Sequence, residues 1–243
     1  MTTFALIHGA WGTGWHWAAV PGELRRMGHE MVAPDLPCDE PDATFDDYAA
    51  VVLGALEDIP GEDVVVVGFS LGGHTAALVA GGRPVRELVY LAAMVPEPGV
   101  SLNDQFARRD RMLLQEYAAG IEGPDEHGFS SWVDFDVYYR TTCHDCPEPV
   151  ARERFERSRS QCNRPYRNPC SLKAMPDVPT RYLLCTEDRL LNNSFWRAAV
   201  PARLDTKPIE LPGSHSPMAA RPDELALLLA AGLSAEGSRL GAS

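Results

Sequence analysis

The stretch Asp63-Val64-Val65-Val66-Val67-Gly68-Phe69-Ser70-Leu71-Gly72-Gly73, residues 63–73, decides the fold. Its first half is an unbroken run of β-branched residues, which reads as a strand buried on both faces, as in a parallel sheet. Its second half reads G-x-S-x-G and opens a helical stretch over 70–80. A serine on a tight turn between a buried strand and a helix is held in a strained backbone conformation. Its hydroxyl stands at the carboxyl edge of the sheet, above the free N–H groups and partial positive charge of the helix start. Gly68 and Gly72 carry no side chain to obstruct the crossing backbone.

Working outward, strands and helices alternate. Strands are expected at 4–7, 30–34 and 87–94. Helices are expected at about 15–27, where Pro21 marks a start and Gly28 a stop, and after Thr44, where Thr44 and Asp47 form a capping box with Asp in place of Glu. The alternation resumes with a strand at 180–185, a helix near 194–199, a strand at 208–211 and a final helix over 222–233. Such alternation implies an open, mostly parallel sheet covered on both faces. The intervening residues 95–176 are rich in aromatics, cysteines and charge, with helices expected near 104–119 and 147–159. They read as a cap inserted after the fourth strand. The expected organisation is a core of 1–94 and 177–233, a cap of 95–176 and a flexible tail of 234–243.

Composition sets limits. The chain has 243 residues, 45% of them hydrophobic, enough for one large core without disulfides or metal. A net charge of -12 argues against nucleic acid or an anionic membrane as partner and leaves a small-molecule substrate. No run approaches the roughly 18 apolar residues of a membrane span, and the start lacks a signal-peptide pattern, so a cytoplasmic location is expected. Oligomeric state has no signature. Cys143 and Cys146 form C-x-x-C around His144, but Cys162 and Cys170 are too far apart for a zinc finger or ribbon, so the six cysteines read as free thiols.

A serine nucleophile needs a base. Of seven histidines, only His215 follows the last strand, in Pro212-Gly213-Ser214-His215, where α/β sheets place active residues. The base needs an anion to fix its tautomer, and Asp188, three residues past strand 180–185, is preferred to Glu187. The oxyanion donors are expected to be the N–H groups of Leu71 and, in the loop His8-Gly9-Ala10-Trp11, of Ala10. His8 reads as a structural anchor of that loop and His74 as a partly buried helix residue. Trp11, Phe69, Trp132, Phe135 and Tyr138 are candidate pocket walls.

These motifs, with HGAW at 8–11, GFSLGG at 68–73, CTEDR at 185–189 and GSHSPM at 213–218, carry a family likeness. The chain resembles the compact α/β hydrolases: plant methylesterases, hydroxynitrile lyases and pyrethroid-hydrolase-like esterases. The order Ser70, Asp188, His215 is theirs. The resemblance implies six parallel strands ordered second-first-third-fourth-fifth-sixth and a Ser-His-Asp enzyme without metal or organic cofactor. It implies hydrolysis of a small apolar carboxylic ester or lactone. Alternatives are a cofactor-free lyase or cyclase using the same residues as acid and base, and a non-catalytic ligand receptor. The lyases of this group carry Thr after the first His and Lys after the catalytic His, where this chain has Gly9 and Ser216, which disfavours cyanide release. Haloalkane dehalogenases place Asp at the Ser70 position and are excluded.

Overall fold

A computed structural model describes residues 1–108 and 111–237. Among the described residues nine strands run in chain order: β1 (Thr3–Ile7), β2 (Glu30–Val32), β3 (Val64–Phe69), β4 (Glu87–Leu91), β5 (Ile121–Glu122), β6 (Phe129–Trp132), β7 (Gln161–Cys162), β8 (Thr180–Cys185) and β9 (Ile209–Leu211). Six form one parallel sheet ordered β2-β1-β3-β4-β8-β9, the order the resemblance implied. Every residue of β1, β3 and β4 is buried, because helices cover both faces of these central strands. The register sets Ile7 beside Gly68 and Phe69 beside Leu91, so the three strands end together below one edge.

The helix Gly72–Gly82 leaves that edge from β3 and is buried from Gly72 to Ala80. The helix Phe45–Ala55 packs on it and begins at the expected capping box: Thr44 Oγ1 accepts from Asp47 N at 3.3 Å, and Asp47 Oδ2 accepts from Thr44 N at 2.8 Å. The expected helix near 15–27 is two pieces, a 3-10 turn Gly14–Trp17 and the helix Pro21–Arg26, with Pro21 at the start and Gly28 at φ 80° after it. Arg181 of β8 grips Glu87 of β4 at 2.5 and 2.8 Å and bonds the carbonyls of Leu228 and Leu229, which pins the final helix to the sheet.

Between β4 and β8 lies the insert. It is partly helical, with Leu102–Ala107, Phe135–Thr142, Glu148–Glu156 and Arg164–Arg167, and it also holds the antiparallel sheet β5-β6-β7. The single helix expected over 104–119 does not form. The chain is helical to Ala107 and 3-10 over Gln115–Gly120; between them Leu114 N donates to Leu190 O, and Met112 O accepts from Asn192 N and Trp196 Nε1. Bonds to the loop after β8 replace the local helical ones. The last helix runs Pro222–Gly237, so residues 234–237 of the expected flexible tail are helical, and 238–243 lie outside the described residues. Among the described residues no helix is long and apolar enough to cross a membrane.

Candidate active site

The turn after β3 has the geometry its glycines require. Ser70 is at φ 54°, a left-handed conformation that a serine adopts only under constraint. Neighbouring backbone supplies the constraint: Ser70 N donates to Leu91 O at 3.2 Å, and Ser70 O accepts from Gly73 N and Met94 N at 3.2 and 3.0 Å. A Cβ on Gly68 would lie 2.6 Å from that of Ala76, and one on Gly72 would lie 2.5 Å from His8 O. A Cβ on Gly9 would lie 2.8 Å from that of Ser70. The loop after β1 thus passes directly over the serine and brings Ala10 with it. Trp11, next in that loop, is also left-handed, at φ 56°. The backbone N–H groups of Ala10 and Leu71 donate to no other backbone carbonyl among the described residues.

His215 and Asp188 are both buried and joined by a 2.6 Å bond between His215 Nδ1 and Asp188 Oδ2. The other carboxylate oxygen, Oδ1, accepts the N–H groups of Leu190 and Leu191, each at 2.8 Å. Glu187 is exposed, so the choice between these two neighbours is resolved by burial. Since Nδ1 faces a carboxylate, it holds the proton and Nε2 is left as the basic nitrogen. Phe69 lies against the ring, 4.8 Å between centroids.

Ser70 and His215 open onto one cavity of about 410 Å³. Of the candidate pocket walls, Trp11, Phe69, Trp132 and Tyr138 line it, together with Ala10. Trp11 is fixed there by its indole N–H, which donates to Ser130 O at 3.1 Å, and by edge contact with Trp132 at 5.6 Å. Phe135 is a correction: it does not line the cavity. It lies one helical turn before Tyr138, stacks on Tyr139, meets Phe155 edge-on and is covered by the Arg152 guanidinium 3.9 Å from its centroid. Phe155 also meets Tyr138, at 5.5 Å, and of these three rings it is Tyr138 that lines the cavity.

Two further histidines border the cavity and neither is a base. Burial holds His8 down to about 4; its Nε2 accepts Leu36 N at 3.0 Å, so Nδ1 donates to Gly9 O at 2.8 Å, the anchoring role read from the sequence. Burial likewise holds His16 down to about 3, with Nδ1 accepting Thr13 N at 2.9 Å and Nε2 donating to Arg154 O at 3.2 Å. His74 is buried behind the elbow, stacked on Phe45 at 4.8 Å and held down to about 3 by burial. The cysteines are free thiols, with Cys143 and Cys146 buried in the insert's own apolar cluster.

A cavity residue that sequence reasoning missed is Arg154. It lies on the insert helix Glu148–Glu156 and is only 4% exposed. The available signal was its helical spacing: Val150, Ala151, Arg157 and Ser158 stand three and four residues away, so no acid can reach it along the helix.

A family model described as "Alpha/beta hydrolase family" matches residues 4–226. The chain belongs to that family. It is 36% identical over 111 residues to the carbendazim hydrolyzing esterase of Nocardioides sp. (strain SG-4G), a match spanning 42% of this chain and 46% of that protein. It is 26% identical to Methylesterase 2 of Arabidopsis thaliana over 252 aligned positions, covering 91% of this chain and 92% of the relative. Among solved structures, a pyrethroid hydrolase from Sphingobium faniae JZ-2 superposes with a TM-score of 0.81 at 23% identity, covering 98% and 99% of the two chains. Polyneuridine aldehyde esterase superposes with a TM-score of 0.81 at 22% identity, covering 94% and 98%. The fold and the group expected from the sequence motifs are those found.

Proposed function

We propose that this chain is a serine esterase that cleaves a small carboxylic ester or lactone through an acyl-enzyme on Ser70. The observation that carries this reading is the shared cavity: a strained serine and a histidine oriented by a buried carboxylate open onto the same enclosed space. The names of the relatives, an esterase and a methylesterase, agree with it.

In this reading Ser70 Oγ attacks the substrate carbonyl and its proton passes to His215 Nε2. The N–H groups of Ala10 and Leu71 hold the tetrahedral oxyanion, and Asp188 supports the imidazolium. Collapse breaks the acyl–oxygen bond and His215 returns the proton to the leaving alcohol. Water then attacks the acyl-enzyme by the same route in reverse roles, releasing the acid and restoring Ser70. His215 bonds Asp188 here and no hydrogen bond joins it to Ser70. Catalytic hydrogen bonds commonly tighten only when substrate is bound.

A lyase reading has one observation in its favour. Arg154 supplies the cavity with a cation, which Ser216 beside the base does not. Cyanide release from an aromatic cyanohydrin would mark it, and ester turnover without cyanide release would exclude it.

The test is intact mass after exposure to a fluorophosphonate. One adduct on the native chain and none on Ser70→Ala is expected. No adduct on either would overturn the nucleophile and turn attention to the receptor and lyase readings.

A further inference from the structure

Arg154 is a buried charge without a counter-charge. Its NH1 donates to His16 O at 2.6 Å, its NH2 reaches the thioether of Met218 at 3.6 Å, and its Nε is buried with no partner. The Tyr138 hydroxyl also bonds it, but burial pushes that phenol up to about 12, so it is a neutral partner. No carboxylate lies within ion-pair distance of Arg154 among the described residues. Arginines on the same helix and several half-buried ones elsewhere do find acids. On the same helix, exposed Arg152 and Arg157 pair with Glu148 and Glu153 at 2.7 and 3.0 Å. The half-buried Arg181, Arg203 and Arg159 find Glu87, Glu97 and Asp39. Arg154 is more buried than any of these five and, unlike them, has no carboxylate partner among the described residues; half-buried Arg83 also lacks one, but it spends its donors on the carbonyls of Leu56, Ile59 and Pro84.

A guanidinium keeps its charge in proteins, and burying it unpaired costs several kcal/mol. Folds tolerate such a cost where the charge serves a ligand. Arg154 lines the cavity that holds Ser70 and His215, and the described residues lining it include no Asp, Glu or Lys. Burial keeps His8 and His16 neutral there, so among the described lining residues Arg154 brings the only permanent charge, to a space whose walls include Trp11, Tyr117, Trp132 and Tyr166. A planar, fork-shaped cation with unused donors, in an aromatic chamber, fits a carboxylate.

We propose that Arg154 is a specificity residue that binds a free carboxylate on the substrate, so that the preferred substrate is a half-ester: an apolar, carboxylate-bearing molecule whose ester carbonyl meets Ser70 while its acid group pairs with the guanidinium. The ester half rests on the hydrolase reading above; the carboxylate half rests on Arg154 alone.

Two measurements separate them. Calorimetric titration with benzoate and with benzamide, near-isosteres that differ in charge, reads the anion site without any turnover. At pH 8 the native chain should bind benzoate at least about tenfold more tightly, and this preference should vanish in Arg154→Met and persist in part in Arg154→Lys. Benzamide binding as well as benzoate to the native chain would overturn the proposal whether or not either variant folds. The second measurement is the kcat/KM ratio of a monomethyl to a dimethyl ester of one dicarboxylic acid. The half-ester should be favoured at least about tenfold, through KM, and Arg154→Met should bring the ratio near one. Turnover of both esters at equal efficiency would overturn the half-ester preference and leave the hydrolase reading standing. Benzoate binding with no ester turned over would do the reverse.

Discussion

Replacing Asp188 by Asn tests the chain of contacts that gives His215 its role. Asp188 Oδ1 accepts two backbone N–H groups, from Leu190 and Leu191, each at 2.8 Å. These can only donate, so in Asp188→Asn the amide's carbonyl oxygen must take that place and its NH₂ group must face His215. The NH₂ group now donates where Oδ2 had accepted, 2.6 Å from Nδ1. Nδ1 is forced to accept, and the ring proton moves to Nε2. A histidine protonated at Nε2 cannot take the proton of Ser70. The same exchange in a serine protease lowers kcat by about 10⁴ with the geometry intact. The expected loss here is of that order, about 5.5 kcal/mol of barrier at about 1.4 kcal/mol per factor of ten. The assay is kcat/KM on a p-nitrophenyl ester at pH 8, with circular dichroism and the thermal midpoint as controls for folding. Because both backbone donors stay satisfied, the midpoint should move little. Activity within tenfold of the native chain would refute the argument, since it would mean that His215 does not depend on Asp188 for its tautomer.

Ser70→Ala should abolish ester turnover while leaving the thermal midpoint within about 3 °C of the native value, because only one hydroxyl is lost from a turn held by its backbone; residual turnover near the native level would remove Ser70 from the reaction. The buried His74 should make stability fall with acid: the unfolded chain takes up its proton near 6.5 and the folded chain only near about 3, so below pH 6.5 the unfolded state binds more protons. At pH 5 that difference costs about 2 kcal/mol, and His74→Leu should recover about that much of the loss between pH 8 and pH 5 in urea unfolding; an unchanged pH dependence would show that His74 is protonated in the fold. Chelation should change neither unfolding nor turnover, since no three His, Cys, Asp or Glu residues gather as a metal site among the described residues; loss of either would return Cys143 and Cys146 to consideration as zinc ligands.

What the sequence revealed and what it hid follow from the range of the forces involved. The valine run, the glycines around Ser70 and the Thr44–Asp47 box act over a few residues, and each formed where it was read. His215 and Asp188, which the structure joins by a hydrogen bond, could be nominated together because each stands just past a strand whose apolar pattern was plain. The insert resisted for the opposite reason. Residues 112–114 hold long-range bonds to Leu190, Asn192 and Trp196, and these displace the local helix that their own pattern suggested. Phe135 and Tyr138 share a helix and an aromatic character, and only packing against Phe155 tells which of them faces the cavity. Arg154 had a weak local signal, the missing acid at helical spacing, which acquires meaning only once burial is known.

The division of labour in the cavity follows from this architecture. Ser70, His215 and Asp188 stand just past the carboxyl ends of β3, β9 and β8, three strands of the six-stranded sheet. Trp132, Tyr138 and Arg154 come from the insert, which meets the rest of the chain through contacts such as the bridge from Leu113 to Leu191 and the bond from Arg154 to His16 O. The chain's net charge of -12 repels an anionic substrate at a distance, but salt screens that field beyond about 8 Å at physiological ionic strength. A guanidinium buried inside the cavity is screened far less, so a carboxylate is disfavoured on approach and favoured on arrival. Selection by Arg154 is therefore expected to appear in the lifetime of the complex rather than in its rate of formation, and the chemistry at Ser70 to be indifferent to it once the substrate is seated.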